Sequence, residues 1–208
     1  MTLARRKTDI RKSELVRAAL ELISSRGIRA LTTRSLAERV GLSTGAIFKH
    51  FASLDALLEG VVEHVAQILG STFPDPAVEP MARLEQFVAR RCEAVGNQIG
   101  ILRLVVSEQF MLALPERSAA TLAGCVEETR RFITQCIEEG QATGSIRSDL
   151  RASAMTAIVM GTIQVLALSR AQPRKRSAES KAVRSTLTAI LRPQGVSAAL
   201  PGNPKRRR

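Results

Sequence analysis

Leu31-Thr32-Thr33-Arg34-Ser35-Leu36-Ala37-Glu38-Arg39-Val40-Gly41-Leu42-Ser43-Thr44-Gly45-Ala46-Ile47-Phe48-Lys49-His50-Phe51 is the stretch that decides the fold. Thr32-Thr33 offers a side-chain oxygen to the free amides that open a helix. Leu36, Ala37 and Val40 then recur at helical spacing until Gly41, which can enter the left-handed conformation of a tight turn at little cost. Ser43 caps a second short helix, Thr44 to His50, with Ile47 and Phe51 on its inner side. Leu36, Val40, Leu42 and Ile47 close a small core from both helices, and Ala37 is small enough for the two to cross closely. Thr44, Gly45, Ala46, Lys49 and His50 are left facing outward. This is the anatomy of a helix-turn-helix.

Outward from this stretch, helical periodicity continues in both directions and no period-2 strand pattern emerges. Before it, Leu15, Ala18, Ala19, Leu22 and Ile23 form an apolar stripe from Ser13 to Gly27. After it, Ser53 and Asp55 open a long helix through Leu57, Leu58, Val61, Val62, Val65, Ile68 and Leu69, which Gly70 and Pro74 to Pro80 break. Met81 to Val95, Ile101 to Leu114, Pro115 to Gly140, Ala152 to Ser169 and Ser177 to Leu191 read as five more helices. The sequence predicts an all-α chain of about nine helices. Residues 1–54 are expected to form a head that carries the helix-turn-helix, residues 55–192 a helical body, and residues 193–208 a basic, disordered tail.

Composition narrows the function classes. The 208 residues carry a net charge of +12, with no Trp, no Tyr and three cysteines. An odd cysteine count without CxxC spacing argues against a disulfide framework and a zinc site, so no metal is expected and a cytoplasmic location fits. Met1 to Lys12 is charged and has no apolar run of a secretory signal. Ala152 to Ser169 is free of charge but interrupted by Ser153, Thr156, Thr162 and Gln164, which reads as a buried or interfacial helix and not a membrane span. The charge is uneven: +7 over residues 1–52, −4 over 53–170 and +9 over 171–208. A basic head on an acidic body points to nucleic acid gripped at one place. No Gly-rich phosphate loop, HExxH or G-x-S-x-G supports an enzyme, and no cofactor is implied. The second reading is a non-specific basic nucleic-acid-binding or architectural protein using both charged ends.

Residues 10–70 resemble the TetR family of bacterial transcriptional regulators. The likeness rests on the first helix, Thr32-Thr33-Arg34-x-Leu36-Ala37, the Gly41-Leu42-Ser43 turn, and Phe48-x-His50-Phe51 running into a long fourth helix. It extends loosely over the later helices and the Gly144-x-Ile146-Arg147-x-Asp149 loop. The resemblance implies a homodimer on a palindromic double-stranded operator, acting most simply as a repressor released by a small-molecule effector that the sequence does not name. It places DNA contacts at Thr33 and Arg34 on the second helix and at Thr44, Gly45, Ala46, Phe48, Lys49 and His50 on the recognition helix. Two positions depart from the family pattern: Phe48 stands where Tyr is usual, and Leu54 where Lys is usual, so a hydroxyl and a charge that commonly reach phosphate are missing. Compensation is expected from Arg5, Arg6 and Lys7, a flexible arm before the first helix, or from Arg11 and Lys12, although no motif positions either group.

The ligand-binding candidates are His64, Cys92, Arg103 and Gln109. His64 lies on the long fourth helix, where the resemblance puts a pocket. Arg103 and Gln109 interrupt an apolar helix, and polar groups there need partners. For each the plainer alternative is ordinary packing: a half-buried histidine, an inert buried cysteine, an internal ion pair. Ser153, Ala157 and Gly161 recur every four residues and permit close helix approach. With Val165 and Leu168 they form the expected dimer seam, although a core helix would use such a ridge as readily.

Overall fold

The computed structural model describes residues 3–96, 101, 105, 111–168 and 173–193, and every regular element among them is helical. Eight α-helices are described: α1 (Leu3–Arg26), α2 (Thr33–Val40), α3 (Thr44–Phe48), α4 (Leu54–Gly70), α5 (Pro80–Gly96), α6 (Glu116–Thr143), α7 (Ala152–Leu168) and α8 (Pro173–Leu191). A 3₁₀ turn, Ile28–Ala30, joins α1 to α2. The helix expected at Ile101 to Leu114 lies mostly outside the described residues. Ile101, Val105, Met111 and Leu112 are helical.

α1 begins at Leu3, ten residues before the start expected from the apolar stripe, so the backbone of Arg5, Arg6 and Lys7 is helical and not an extended arm. The stripe itself starts only at Leu15 because residues 9–13 are exposed. Charged residues of good helix propensity continue a helix without needing a buried face, and apolar periodicity is blind to them.

α1, α2 and α3 pack together as the head, and α4 runs from it into the body, contacting α1, α5 and α6. α6 and α7 are mutually packed and both rest on α5, while α8 closes against α5 and α7. One hydrophobic cluster runs without a break from the head into the body. It includes Leu15, Ile23, Leu36 and Ile47, then Leu57, Val61 and Val65 of α4, and then Val95, Ile101 and Leu122. The division expected between residues 54 and 55 falls at the first turn of α4, inside this cluster. A second cluster, built on Phe87, Ile133, Ile137, Met155, Val159 and Leu187, fills the far end of the body. Phe73, Phe87 and Phe132 meet there with ring centroids 4.7–5.3 Å apart. These are the only close-packed aromatics among the described residues, so aliphatic side chains fill the rest of both cores.

Two glycines carry geometric demands. Gly41 adopts φ 66° at the head of the turn between α2 and α3. At Gly140 a Cβ would come within 2.6 Å of the Ile146 side chain, which allows the loop after α6 to fold back so that the Ile146 amide donates to the Gly140 carbonyl at 2.9 Å.

Candidate functional site

The outward face of the head is set by local chemistry. Thr32 and Ser35 cap α2 reciprocally: the Ser35 amide donates to Thr32 Oγ1 and the Thr32 amide to Ser35 Oγ, both at 3.0 Å. After Gly41, the Leu42 amide donates to the Ala37 carbonyl at 3.0 Å, and Ser43 Oγ accepts from the Ala46 amide at 3.2 Å. α3 therefore starts in a fixed register against α2. A salt bridge between Arg39 and Glu21 (2.6 Å) ties α2 to α1 on the outside. Within α3 only Ile47 is buried, and Thr44, Gly45, Phe48 and the following Lys49 are exposed. Ala46 is half-buried.

Five of the eight sequence-nominated DNA-contact residues thus lie open together at the tip of the head: Arg34, Thr44, Gly45, Phe48 and Lys49. Arg34 pairs loosely with Glu38 one turn on (3.0 Å) and both side chains are well exposed, so little opposes its transfer to another anion. Thr33 is half-buried. Phe48 leaves half its surface in solvent. α3 is two residues shorter than expected, ending at Phe48 with Lys49 as its C-terminal cap. His50 is half-buried and lines a cleft between α1 and α4 that also holds Ser13, Glu63 and His64. Its Nδ1 is buried without a hydrogen-bond partner among the described residues.

An apolar cavity of about 70 Å³ lies in the body between α4, α5, α6 and α7. Leu69, Val95, Ile101, Val126, Met160 and Ile163 supply most of its wall, and Arg91, Thr129, Cys125 and Gln164 its polar atoms. Arg91 is the anomaly. Its side chain is only 4% exposed, with the guanidinium 4.9 Å from the Phe87 ring centroid and 5.3 Å from that of Phe73. Nη2 donates to Thr129 Oγ1 at 3.3 Å, while Nε is buried with no partner among the described residues. Burial pulls the Arg91 pKa down to about 10, which still leaves it protonated at neutral pH.

Two turns earlier on α5, Arg83 is equally buried but fully matched. It donates to the Pro76 carbonyl (2.7 Å), to Cys136 Sγ (3.2 Å) and to Glu139. Neither arginine was singled out by the sequence reading, because an arginine inside an amphipathic helix looks like any surface residue. The only signal was positional: Arg83, Leu84, Phe87, Val88, Arg91 and Cys92 share one helical face.

Of the nominated ligand residues, none described lines this cavity. His64 faces the cleft beside His50, and burial, with Arg17 nearby, lowers its pKa. Cys92 is buried, and burial raises its thiol to about 11, the behaviour of inert packing. Arg103 and Gln109 lie outside the described residues. No group of three or more His, Cys, Asp or Glu suited to a metal occurs among the described residues. Of the seam residues, Ser153, Ala157 and Val165 are exposed and Gly161 half-buried, while the side chain of Leu168 lies outside the described set.

A capped helix-turn-helix head joined by a continuous core to a helical body with an internal cavity defines a DNA-binding regulator. The family model for bacterial regulatory proteins of the tetR family matches residues 15–61. The HTH-type transcriptional repressor KstR2 of Mycolicibacterium smegmatis is 26% identical over 144 residues, which span 67% of this chain and 69% of that protein. Among solved structures, the ketosteroid transcriptional regulator KstR2 of Mycobacterium tuberculosis superposes with a TM-score of 0.77 at 20% identity, over 88% of this chain and 95% of that one. AibR, in complex with isovaleryl coenzyme A and operator DNA, gives 0.68 at 13% identity, over 87% and 97%. Residues 15–61 match the DNA-binding domain of the tetR family, and the relatives matched over about two thirds of the chain support a sequence-specific DNA-binding transcriptional regulator of that type. This favours operator recognition over architectural binding, and the relatives are regulators and not enzymes. No helix among the described residues is long and apolar enough to cross a membrane.

Proposed function

We propose that the protein is a cytoplasmic homodimeric repressor that holds a palindromic operator and releases it when a small molecule fills the body cavity. The observation that carries this reading is the unbroken hydrophobic cluster linking the recognition helix to the cavity wall through α4. Leu57, Leu58 and Val61 at one end of α4 belong to the same cluster as Ile47 and Phe51, with α4 resting on α1, α1 on α2 and α2 on α3, and Leu69 at the other end lines the cavity. Packed cores move as units and do not deform continuously. A ligand that displaces Leu69 therefore shifts α4 and, with it, α3.

Thr44 and Lys49 are the base-reading candidates, Lys49 as a donor to guanine acceptors and Ala46 as a methyl contact for thymine. Arg34, Thr33, Gly45 and Phe48 flank them against the backbone, and His50 reaches DNA only by leaving its cleft. The dimer forms through α7 and α8, where Ile158, Val165 and Ile190 are apolar and open on the single chain, with Val165 69% exposed. A second copy covers them by two-fold symmetry, an isologous four-helix contact.

Selection of duplexes from a random pool by the full-length protein tests the reading. The enriched sequences should be palindromic, with half-site centres about 34–36 Å apart, one helical turn or a multiple. Enrichment of single half-sites, or none, would overturn it.

A further inference from the structure

The contrast between the two buried arginines of α5 identifies what the cavity receives. Arg83 meets three acceptors, one of them the Glu139 carboxylate. Arg91 is as deeply buried and lines the cavity, yet among the described residues no carboxylate forms an ion pair with it, and Glu128 acts only at longer range from the outer side of α6. A buried guanidinium without a counter-charge is costly, and removal of such a charge is more often stabilising than its retention. Thr129 accepts one of its protons and spends its own on the Cys125 carbonyl, 2.8 Å away, so it supplies no charge. The two phenylalanine rings hold the guanidinium plane in place without neutralising it. The fork is held in place with Nε unpaired among the described residues, a geometry suited to a carboxylate.

We propose that the effector is a short-chain aliphatic monocarboxylate whose carboxylate pairs with Arg91 while its hydrocarbon part lies against Leu69, Val126, Met160 and Ile163. This rests on the reading of the body cavity as the effector site. The size of the tail follows from the volume. The cavity is small, about 70 Å³, which favours a short tail such as that of butanoate over a long one. The tail reaches Leu69 at the end of α4, where occupancy bears on the recognition helix.

The test uses the full-length protein and three probes in isothermal titration calorimetry: butanoate, its neutral isostere butanamide, and butanoyl coenzyme A. Butanoate should bind at least about 10-fold more tightly than butanamide, the ratio expected of one charge-assisted contact. Arg91→Met, which keeps the volume and drops the charge, should erase that ratio while still binding operator. Equal affinity for acid and amide, binding of the thioester alone, an unchanged ratio in Arg91→Met, or no binding by any probe would overturn the proposal. If Arg91→Met does not fold by circular dichroism, the acid-to-amide ratio of the natural protein decides alone. Fluorescence anisotropy on the selected operator separates the two readings. Butanoate that binds with the predicted ratio but leaves operator affinity unchanged supports the ligand class and refutes ligand-driven release.

Discussion

Ile47 is the only buried residue of a recognition helix five residues long, and Ile47→Ala is the sharpest probe of how the head presents its DNA-reading face. The side chain is 2% exposed and sits in the cluster with Leu36 and Phe51. Removing three carbons costs about 2.4 kcal/mol in transfer free energy at about 0.8 per methylene, and the unfilled space raises the total to about 3 kcal/mol. Little else holds α3: the Ser43 cap, and backbone bonds from Ala46, Ile47, His50 and Phe51 that local unfolding would surrender together. If the helix must be re-ordered at the moment of binding, the whole cost appears in affinity, about 150-fold for 3 kcal/mol. Ile47→Val, one carbon smaller, should cost about 1 kcal/mol and about 5-fold. Because Ile47 points away from the groove, both losses should be the same for the operator and for its single-base variants, with sequence preference intact. Fluorescence anisotropy measures the affinities and urea denaturation the stability. Ile47→Ala binding within 2-fold of the natural protein would refute the claim that this one side chain anchors the helix.

Three further substitutions test other parts of the structure. Gly140→Ala gains about 1 kcal/mol of helix propensity but forces a Cβ to within 2.6 Å of Ile146. Net destabilisation of about 1 kcal/mol is expected in urea denaturation, and stability at or above that of the natural protein would contradict the packing. Arg83, with help from Gln135, holds the Glu139 carboxyl below its ordinary pKa, so its contribution is present above about pH 4.5 and disappears as pH falls through the lower folded value. Glu139→Gln should therefore be less stable at pH 7 and lose less on acidification from pH 5 to pH 3, as thermal melts across that range would reveal. Gly161→Leu meets no atom within 4 Å of the added Cβ in the single chain, so helix content and monomer stability should hold. Analytical ultracentrifugation at micromolar concentration should nonetheless find more monomer, and an unchanged dimer would remove Gly161 from the seam.

The head was legible in the sequence almost residue by residue, because capping, turn chemistry and apolar spacing all act within a few residues of one another. Thr32, Gly41, Ser43 and Ile47 each play the part their neighbours in sequence dictated. The cavity was not legible. Its polar centre, Arg91, is defined by Thr129 and by two rings 18 and 4 residues away, and only its place on the apolar face of α5 separates it in the sequence from Arg90, which is exposed. His64 and Cys92 attracted notice for their chemistry, but chemistry without placement does not make a binding residue. The start of α1 escaped for the opposite reason: Leu3 to Lys12 carries no apolar stripe in the sequence, and periodicity reports only such stripes.

The core that passes through α4 also sets where the protein can be cut. A hybrid regulator that grafts this head onto another body at residue 54 would leave Leu15, Leu36 and Ile47 facing side chains never selected to fit them, since their partners Leu57, Val61 and Val65 would stay behind. The transferable unit is the head together with α4 through Gly70. Even that piece carries Leu69 into its new host as one side chain of a foreign pocket wall. With Thr44 and Lys49 as the proposed base readers, DNA specificity is exchanged more economically at these two exposed positions, where no core contact travels with the change.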